Sequence, residues 1–302
     1  RLLLKVGLDV VFWGVAESQH LVNIINQTDL VENLDGEEKL GQPMVNLDYT
    51  SKWGVLQFFY LPYFRERTFP GTDGRLRNNP AVDTDHARYE SGKKQNHQDF
   101  ALRWSRYIGD WDLGVAHFSG TSRQPVLFPA DPSEKEKLIP FYPQIDQTSL
   151  DVQATIGPWL LKLEAIYNQN DFNDYYAYVG GFEYTSFGFK GGDGDVGWLL
   201  EYHYDNLSRF ADIELTPEAL QNDLFAGMRW TGNDIQGTSL LAGLMVDLDH
   251  QSTFFNLEFE RRLGTSWTIS VDARMFWNID RSDIFYPISQ DDHIEIRLAR
   301  HF

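Results

Sequence analysis

The chain contains no cysteine, which excludes a disulfide framework and any thiolate metal site. It also has no uninterrupted apolar run of the roughly eighteen residues that a membrane-crossing helix requires. Cations are scarce: 26 Lys and Arg stand against 44 Asp and Glu, a formal charge of −18. Binding to a phosphate backbone draws on clustered Lys and Arg, so this balance argues against a nucleic-acid partner. The eight histidines show neither HExxH nor an i, i+4 pair, which leaves zinc unsupported, and GxSxG is absent. No cofactor is implied. GGDGD at 191–195 has the form of a calcium-binding glycine-aspartate turn, but such turns work as repeats and this is a single copy, better read as a flexible turn. NDFND at 170–174 offers oxygen ligands for Ca²⁺, but a polar hairpin loop is the simpler reading.

What the chain does have is alternation and aromatic residues, the latter at 15% with nine Trp. The stretch DHIEIRLARHF (292–302) places Ile294, Ile296, Leu298 and Phe302 on one face and His293, Glu295, Arg297 and His301 on the other. Half-buried strands alternate in this way. A terminal aromatic at the end of the apolar face fits a membrane barrel, whose outer band is edged by aromatic girdles. The same pattern sets Trp267, Ile269, Val271, Ala273, Met275 and Trp277 against Thr268, Ser270, Asp272, Arg274 and Phe276. It also sets Trp159, Leu161, Leu163, Ala165 and Tyr167 against Lys162 and Glu164. The faces of 54–64 and 111–121 remain ambiguous. Fourteen strands are predicted, at 3–13, 43–50, 54–64, 98–108, 111–121, 145–156, 159–168, 175–187, 195–205, 223–232, 238–248, 253–263, 266–278 and 292–302. The expected fold is all-β: one antiparallel transmembrane β-barrel domain over 1–302, with fourteen strands here and sixteen or more in a longer protein lacking its amino-terminal part in this chain.

Connection lengths support the barrel. Every long connection (14–42, 65–97, 122–144, 206–222 and 279–291) has the same parity, while 51–53, 109–110, 157–158 and 264–265 are tight. Outer-membrane barrels sort their short turns to the periplasm and long loops to the outside. An even strand count would let the first and last strands pair and remove the sheet edge, although alternation alone does not establish that closure. The loop 131–137 (DPSEKEK) reads as solvated, and Thr216, Pro217 and Glu218 resemble a helix start. The loop 14–42 is different. Its core HLVNIINQTDLVEN is too apolar for a free surface loop, so it is expected to pack into the lumen, to form a lid, or to meet a neighbouring subunit.

The run FWGVAESQHLVNIINQTDLVENLDGEEKLGQPMVNL (Phe12 to Leu47), followed by LPYFRERTFPGTDGRLR (Leu61 to Arg77), resembles a group of uncharacterised porin-like outer-membrane proteins of Gram-negative bacteria. The resemblance implies a barrel and a bacterial outer-membrane address. It implies no solute and no functional residue.

The alternation puts many charges on the inner face. The candidate pore-lining residues are Asp9, Arg103, Glu164, Glu183, Glu201, Arg229, Asp247, Glu258, Glu260, Arg262, Asp272, Arg274, Glu295 and Arg297, with Asp29 and Glu32 from an inserted loop 14–42. Lys5, Asp48, Asp151 and Lys162 share the inner face. Unpaired charges are expensive to bury, so such a lumen is expected to be wet, and carboxylate rings favour cations. About eight strands already suffice for a packed interior, so fourteen should leave space. Asp29, Glu32, Asp35, Glu37 or Glu38 would face wall arginines at a constriction, although Glu37 and Glu38 equally suit a solvated loop tip. Trp13, Trp159, Trp198, Trp230, Trp267 and Trp277, with Tyr167, Tyr202 and Tyr204, are expected as lipid-interface girdles. The partners implied are outer-membrane lipid and small hydrophilic solutes passing by diffusion, with cations preferred; oligomeric state is undetermined. The competing expectations are a plugged barrel acting as a surface receptor or envelope structural protein, and an outer-membrane hydrolase using His203 with Ser208.

Overall fold

The computed structural model describes residues 1–32, 36–74, 76–77, 79–130, 137–172, 174–207, 220–281 and 286–302. Asp35, Arg75, Ser208, residues 131–136, and Thr216, Pro217 and Glu218 lie outside the described residues.

Eighteen strands form among the described residues. They are β1 (Leu2–Asp9), β2 (Gln42–Ser51), β3 (Gly54–Leu61), β4 (Ala81–Val82), β5 (Arg88–Tyr89), β6 (Asp99–Ile108), β7 (Trp111–Thr121), β8 (Val126–Pro129), β9 (Lys137–Tyr142), β10 (Gln144–Ile156), β11 (Trp159–Gln169), β12 (Tyr175–Ser186), β13 (Asp195–Asp205), β14 (Asn222–Thr231), β15 (Ser239–Asp247), β16 (Thr253–Leu263), β17 (Trp267–Trp277) and β18 (His293–Arg300). Fourteen of them, all but β4, β5, β8 and β9, make one antiparallel sheet in which sequence neighbours pair throughout. These correspond to the fourteen strands expected from alternation. The sheet curls around a common interior, because β10 and β18 line the same cavity through Gln153 and Glu295. β1 and β18 are its two ends and do not pair with each other among the described residues.

Register follows the pleat. On the outer face, Leu102, Val115, Leu161, Leu163, Leu200, Leu244 and Ile296 stay exposed despite being large and apolar. A sheet in water would bury such side chains; a sheet in lipid presents them as the apolar band between aromatic girdles. Trp159, Trp198 and Trp267 project near the tight-turn end, and Tyr167, Tyr176 and Trp277 near the long-loop end, all among the exposed residues. Trp13 does not follow that expectation. β1 stops at Asp9 instead of continuing to 13, and the chain turns inward, leaving Trp13 4% exposed.

The faces of β3 and β7, ambiguous from the pattern, are settled by burial. Phe59, Leu61, Ala116 and Phe118 face inward, while Leu56, Phe58 and Val115 face outward.

The loops expected at 65–97 and 122–144 contain further structure. β9 pairs antiparallel with β8 and parallel with β4 and β5, making a small second sheet at the long-loop end. It is held by a cluster of Phe64, Tyr89 and Tyr142, with ring centroids 4.9 Å apart for Phe64–Tyr142 and 5.6 Å for Tyr89–Tyr142. Across the same end, the Leu76 N–H donates to Asp291 at 3.0 Å, so the loop after β3 reaches the loop before β18.

Candidate functional site

The site begins with the connection from β1 to β2, residues 10–41. Asn26 draws its two stems together: its side-chain amide donates to the carbonyls of Asp9 and Leu40, both at 2.9 Å, and its oxygen accepts from Val11 N–H at 2.8 Å. Thr28 pairs with Lys39 in an isolated bridge. The loop therefore enters the interior as a folded unit. Trp13, Val22 and Ile25 bury themselves against inward-facing Met44, Phe59, Leu61, Ala116, Phe118, Ile145 and Ile166. Each such large apolar side chain contributes about 1.5–3 kcal/mol on full burial.

Wall carboxylates grip the loop by its backbone. Glu164, fully buried on β11, accepts N–H bonds from Val15 at 2.6 Å, Ala16 at 2.9 Å and Val22 at 3.2 Å. Glu201 on β13 accepts from the N–H of Glu17 at 2.8 Å and of Ser18 at 2.9 Å, and from Ser18 Oγ at 2.5 Å. Removing a carboxylate from water costs several kcal/mol, and bonds to a charged acceptor recover about 1.5–3 kcal/mol each. Gly14 makes the approach possible: its φ is +149°, and a Cβ there would lie 2.8 Å from His20 Nδ1 and 3.0 Å from Glu164 Oε1.

Cations complete the seat. Arg103 forms a two-point pair with Asp151 at 2.5 and 2.8 Å, and its guanidinium sits 5.1 Å from the Trp13 ring centroid. Arg123 binds Asp99 at 2.7 Å and donates to the Ile25 carbonyl at 3.2 and 3.1 Å. Glu17 of the loop meets Lys162 at 3.5 Å and also pairs with Arg229. Arg229 Nε lies 3.8 Å from Glu183. His20 donates to Glu37 at 2.9 Å and lies 3.7 Å from Glu164. Burial alone would lower the His20 pKa, but hydrogen bonding and charge from Glu164 and Glu37 outweigh it and raise the value to about 9. The His20 hydrogen bond in turn holds the Glu37 carboxyl below the usual range.

Beside the seated loop lies an open cavity of about 1770 Å³, walled by β14 to β18 and bordered by the loop and by Pro70, Gly71, Asp73, Gly74, Leu76 and Arg77. Its carboxylates are Glu17, Glu32, Glu37, Glu38, Asp73, Glu258, Glu260, Asp272, Asp291 and Glu295, ten against the four arginines Arg77, Arg229, Arg274 and Arg297.

The candidate pore residues thus fall into groups. Glu32, Arg229, Glu258, Glu260, Asp272, Arg274, Glu295 and Arg297 line the open cavity. Arg103, Glu164 and Glu201 lie on the inner face but beneath the loop, as does Glu183 behind Arg229. Asp9 caps its own strand end through Val10 N–H at 3.0 Å. Asp29 accepts from Thr68 Oγ1 at 2.6 Å and belongs to the loop–loop contact. Asp247 caps the turn to β16 through Asp249 N–H and His250. Arg262 is exposed at the tight-turn end of β16, outside the cavity. Glu17 of the loop meets a wall arginine, Arg229, whereas Asp29 is bonded to Thr68. The position of Glu17 between Ala16 and Ser18 gave no charge pattern by which to single it out.

His203 does have a serine neighbour, Ser18 Oγ at 2.7 Å, on the loop. His203 Nδ1 faces Gln19 Oε1 at 3.3 Å, while Glu201 takes the serine hydroxyl. A nucleophile triad needs the acid on the other histidine nitrogen. In GGDGD, Asp195 accepts from Gly188 N–H at 2.9 Å, and in NDFND, Asp174 accepts from the Tyr167 hydroxyl at 3.0 Å; both are turn contacts. No group of metal-ligating side chains forms among the described residues.

No protein-family model and no curated protein matches the sequence. Among solved structures, the chain is similar to a porin refined at 1.8 Å, at 14% identity and a TM-score of 0.46, over 86% of this chain and 81% of that one. That likeness stands at the level of the fold.

Proposed function

We propose that the chain forms the wall of a porin-like channel of the bacterial outer membrane, of the group that residues 12–77 resemble, and passes small hydrophilic solutes by diffusion with cations preferred. The observation that carries this reading is the open cavity of about 1770 Å³ beside the seated loop, with its excess of carboxylates. Carboxylate-lined pores favour cations, and a charged wall is tolerable where water fills the space. The exposed apolar outer face with its terminal aromatics supports a lipid setting. Single-channel recording of the full-length protein in a planar bilayer under a KCl gradient tests it. Stable open steps with a cation-selective reversal potential are expected. Silence from folded, inserted protein would count against it.

A second reading is a plugged barrel that acts as a surface receptor or envelope structural protein. It draws on the loop that fills the β6–β13 side and on the small outer sheet. The hydrolase reading, His203 with Ser208, falls on a serine outside the described residues; the serine beside His203 is Ser18, whose hydroxyl donates to Glu201 at 2.5 Å.

A further inference from the structure

The inward residues of the open side are not uniformly polar. Phe225 pairs with Met245, Met245 with Phe254, and Phe254 with Phe276, so four large apolar side chains form one unbroken row across β14 to β17. All four line the open cavity, joined there by Ile288. Gly227 and Gly243 make room for the row: a Cβ at Gly243 would fall 2.3 Å from the Phe225 ring. Phe254 and Phe276 meet edge to face at 5.7 Å. On the loop-filled side, inward Phe59, Phe118 and Ile166 pack against Trp13, Val22 and Ile25 of the loop. On the open side the corresponding row borders the passage itself.

Two lumen-facing positions further along the same strands, Glu258, Asp272 and Glu295 are also consecutive partners across β16 to β18. Between the rows, Arg274 approaches Asp272 at 3.4 Å. Arg297 pairs with Glu295 at 3.1 Å and Asn256 donates to Glu258 at 2.8 Å, which offsets part of the repulsion between like charges placed opposite; the anionic charge left over suits a passing cation. On the loop side of the same cavity stand Glu32, Glu38 and Asp73. A solute in this space meets both apolar side chains and carboxylates.

We propose, resting on the channel reading above, that the passage recognises organic cations carrying an apolar group, such as alkyl- and arylammonium compounds, with the Phe225–Met245–Phe254–Phe276 row binding the apolar part. An inorganic cation has no use for the row, and a neutral apolar solute has none for the carboxylates.

The experiment is current block in planar bilayers by phenylethylammonium, with ammonium ion and 2-phenylethanol as the two half-ligands. Phenylethylammonium should block in a concentration-dependent way, and neither half-ligand should do so at equal concentration. The double variant Met245→Ser, Phe276→Ser should weaken the block about tenfold while keeping the KCl reversal potential. Met245→Leu, which keeps the row apolar, should retain the block and guards against a folding artefact. Equal block by ammonium ion, or unchanged block in the double variant, would overturn the proposal and leave the channel standing. Absence of any open steps would overturn both.

Discussion

The two sides of the interior carry similar charges and use them differently. Towards β6–β13 the inner face presents Asp99, Arg103, Asp151, Lys162, Glu164 and Glu201, each pinned to a partner and hidden under the loop. Towards β14–β18 it presents Glu258, Asp272, Glu295 and Arg297 to open space. Inner-face charge therefore does not by itself mean a wet wall. What separates the two sides is whether a loop main chain arrives to satisfy the carboxylates.

Removing the grip should erase that distinction most completely. Glu164→Ala with Glu201→Ala orphans the N–H groups of Val15, Ala16, Glu17, Ser18 and Val22. Loss of about 3–5 kcal/mol of loop seating is expected, from buried donors left unsatisfied. Larger conductance steps and cleavage by a Glu-specific protease at Glu17 should both appear; a loop still protected would break the comparison. Gly14→Val should act in the same direction with a smaller effect of about 1–3 kcal/mol, because a Cβ there crowds His20 and Glu164.

Next in size comes selectivity. Glu32→Gln should shift the KCl reversal potential towards the anion value, since Glu32 borders the open cavity. Asp29→Asn should leave it unchanged, since Asp29 is spent on Thr68. Equal shifts would erase the difference between the two loop acids.

The smallest expected effect is with pH. His20 is raised in the folded protein, so its contribution is complete below its ordinary value of 6.5 and is lost as pH climbs through about 9. Glu37 is lowered, so its part is present above 4.5 and fades as pH falls through its depressed value. Protease protection of residues 10–41 should decline between pH 6.5 and 9, and His20→Gln should flatten that decline.

Period-two alternation made the fourteen wall strands legible, because each strand has one face in contact with lipid or solvent and the other turned to the interior. Strand ends were less so: Val10 and Phe12 continue the pattern of β1, yet the chain has already left the sheet at Asp9. The small outer sheet went unread because β4 and β5 span two residues each, too short for any period. The loop's apolar core announced that it packs, but its anchors did not. Glu164 and Glu201 mainly hold main-chain N–H groups, which every non-proline residue carries, and the Ser18 hydroxyl on Glu201 is too common a side chain to mark the site. The apolar row was visible only in part, as Phe276 on an inner face, because its continuity across β14–β17 depends on register between strands.

A holder that recognises only main chain is indifferent to what it holds. Val15 and Ala16 can be exchanged for other residues without touching the atoms that Glu164 grips, whereas Gly14 cannot. The cavity border at Val15 is in that sense an interchangeable insert in a fixed socket, and a new side chain can be placed there while the seat stays as it is.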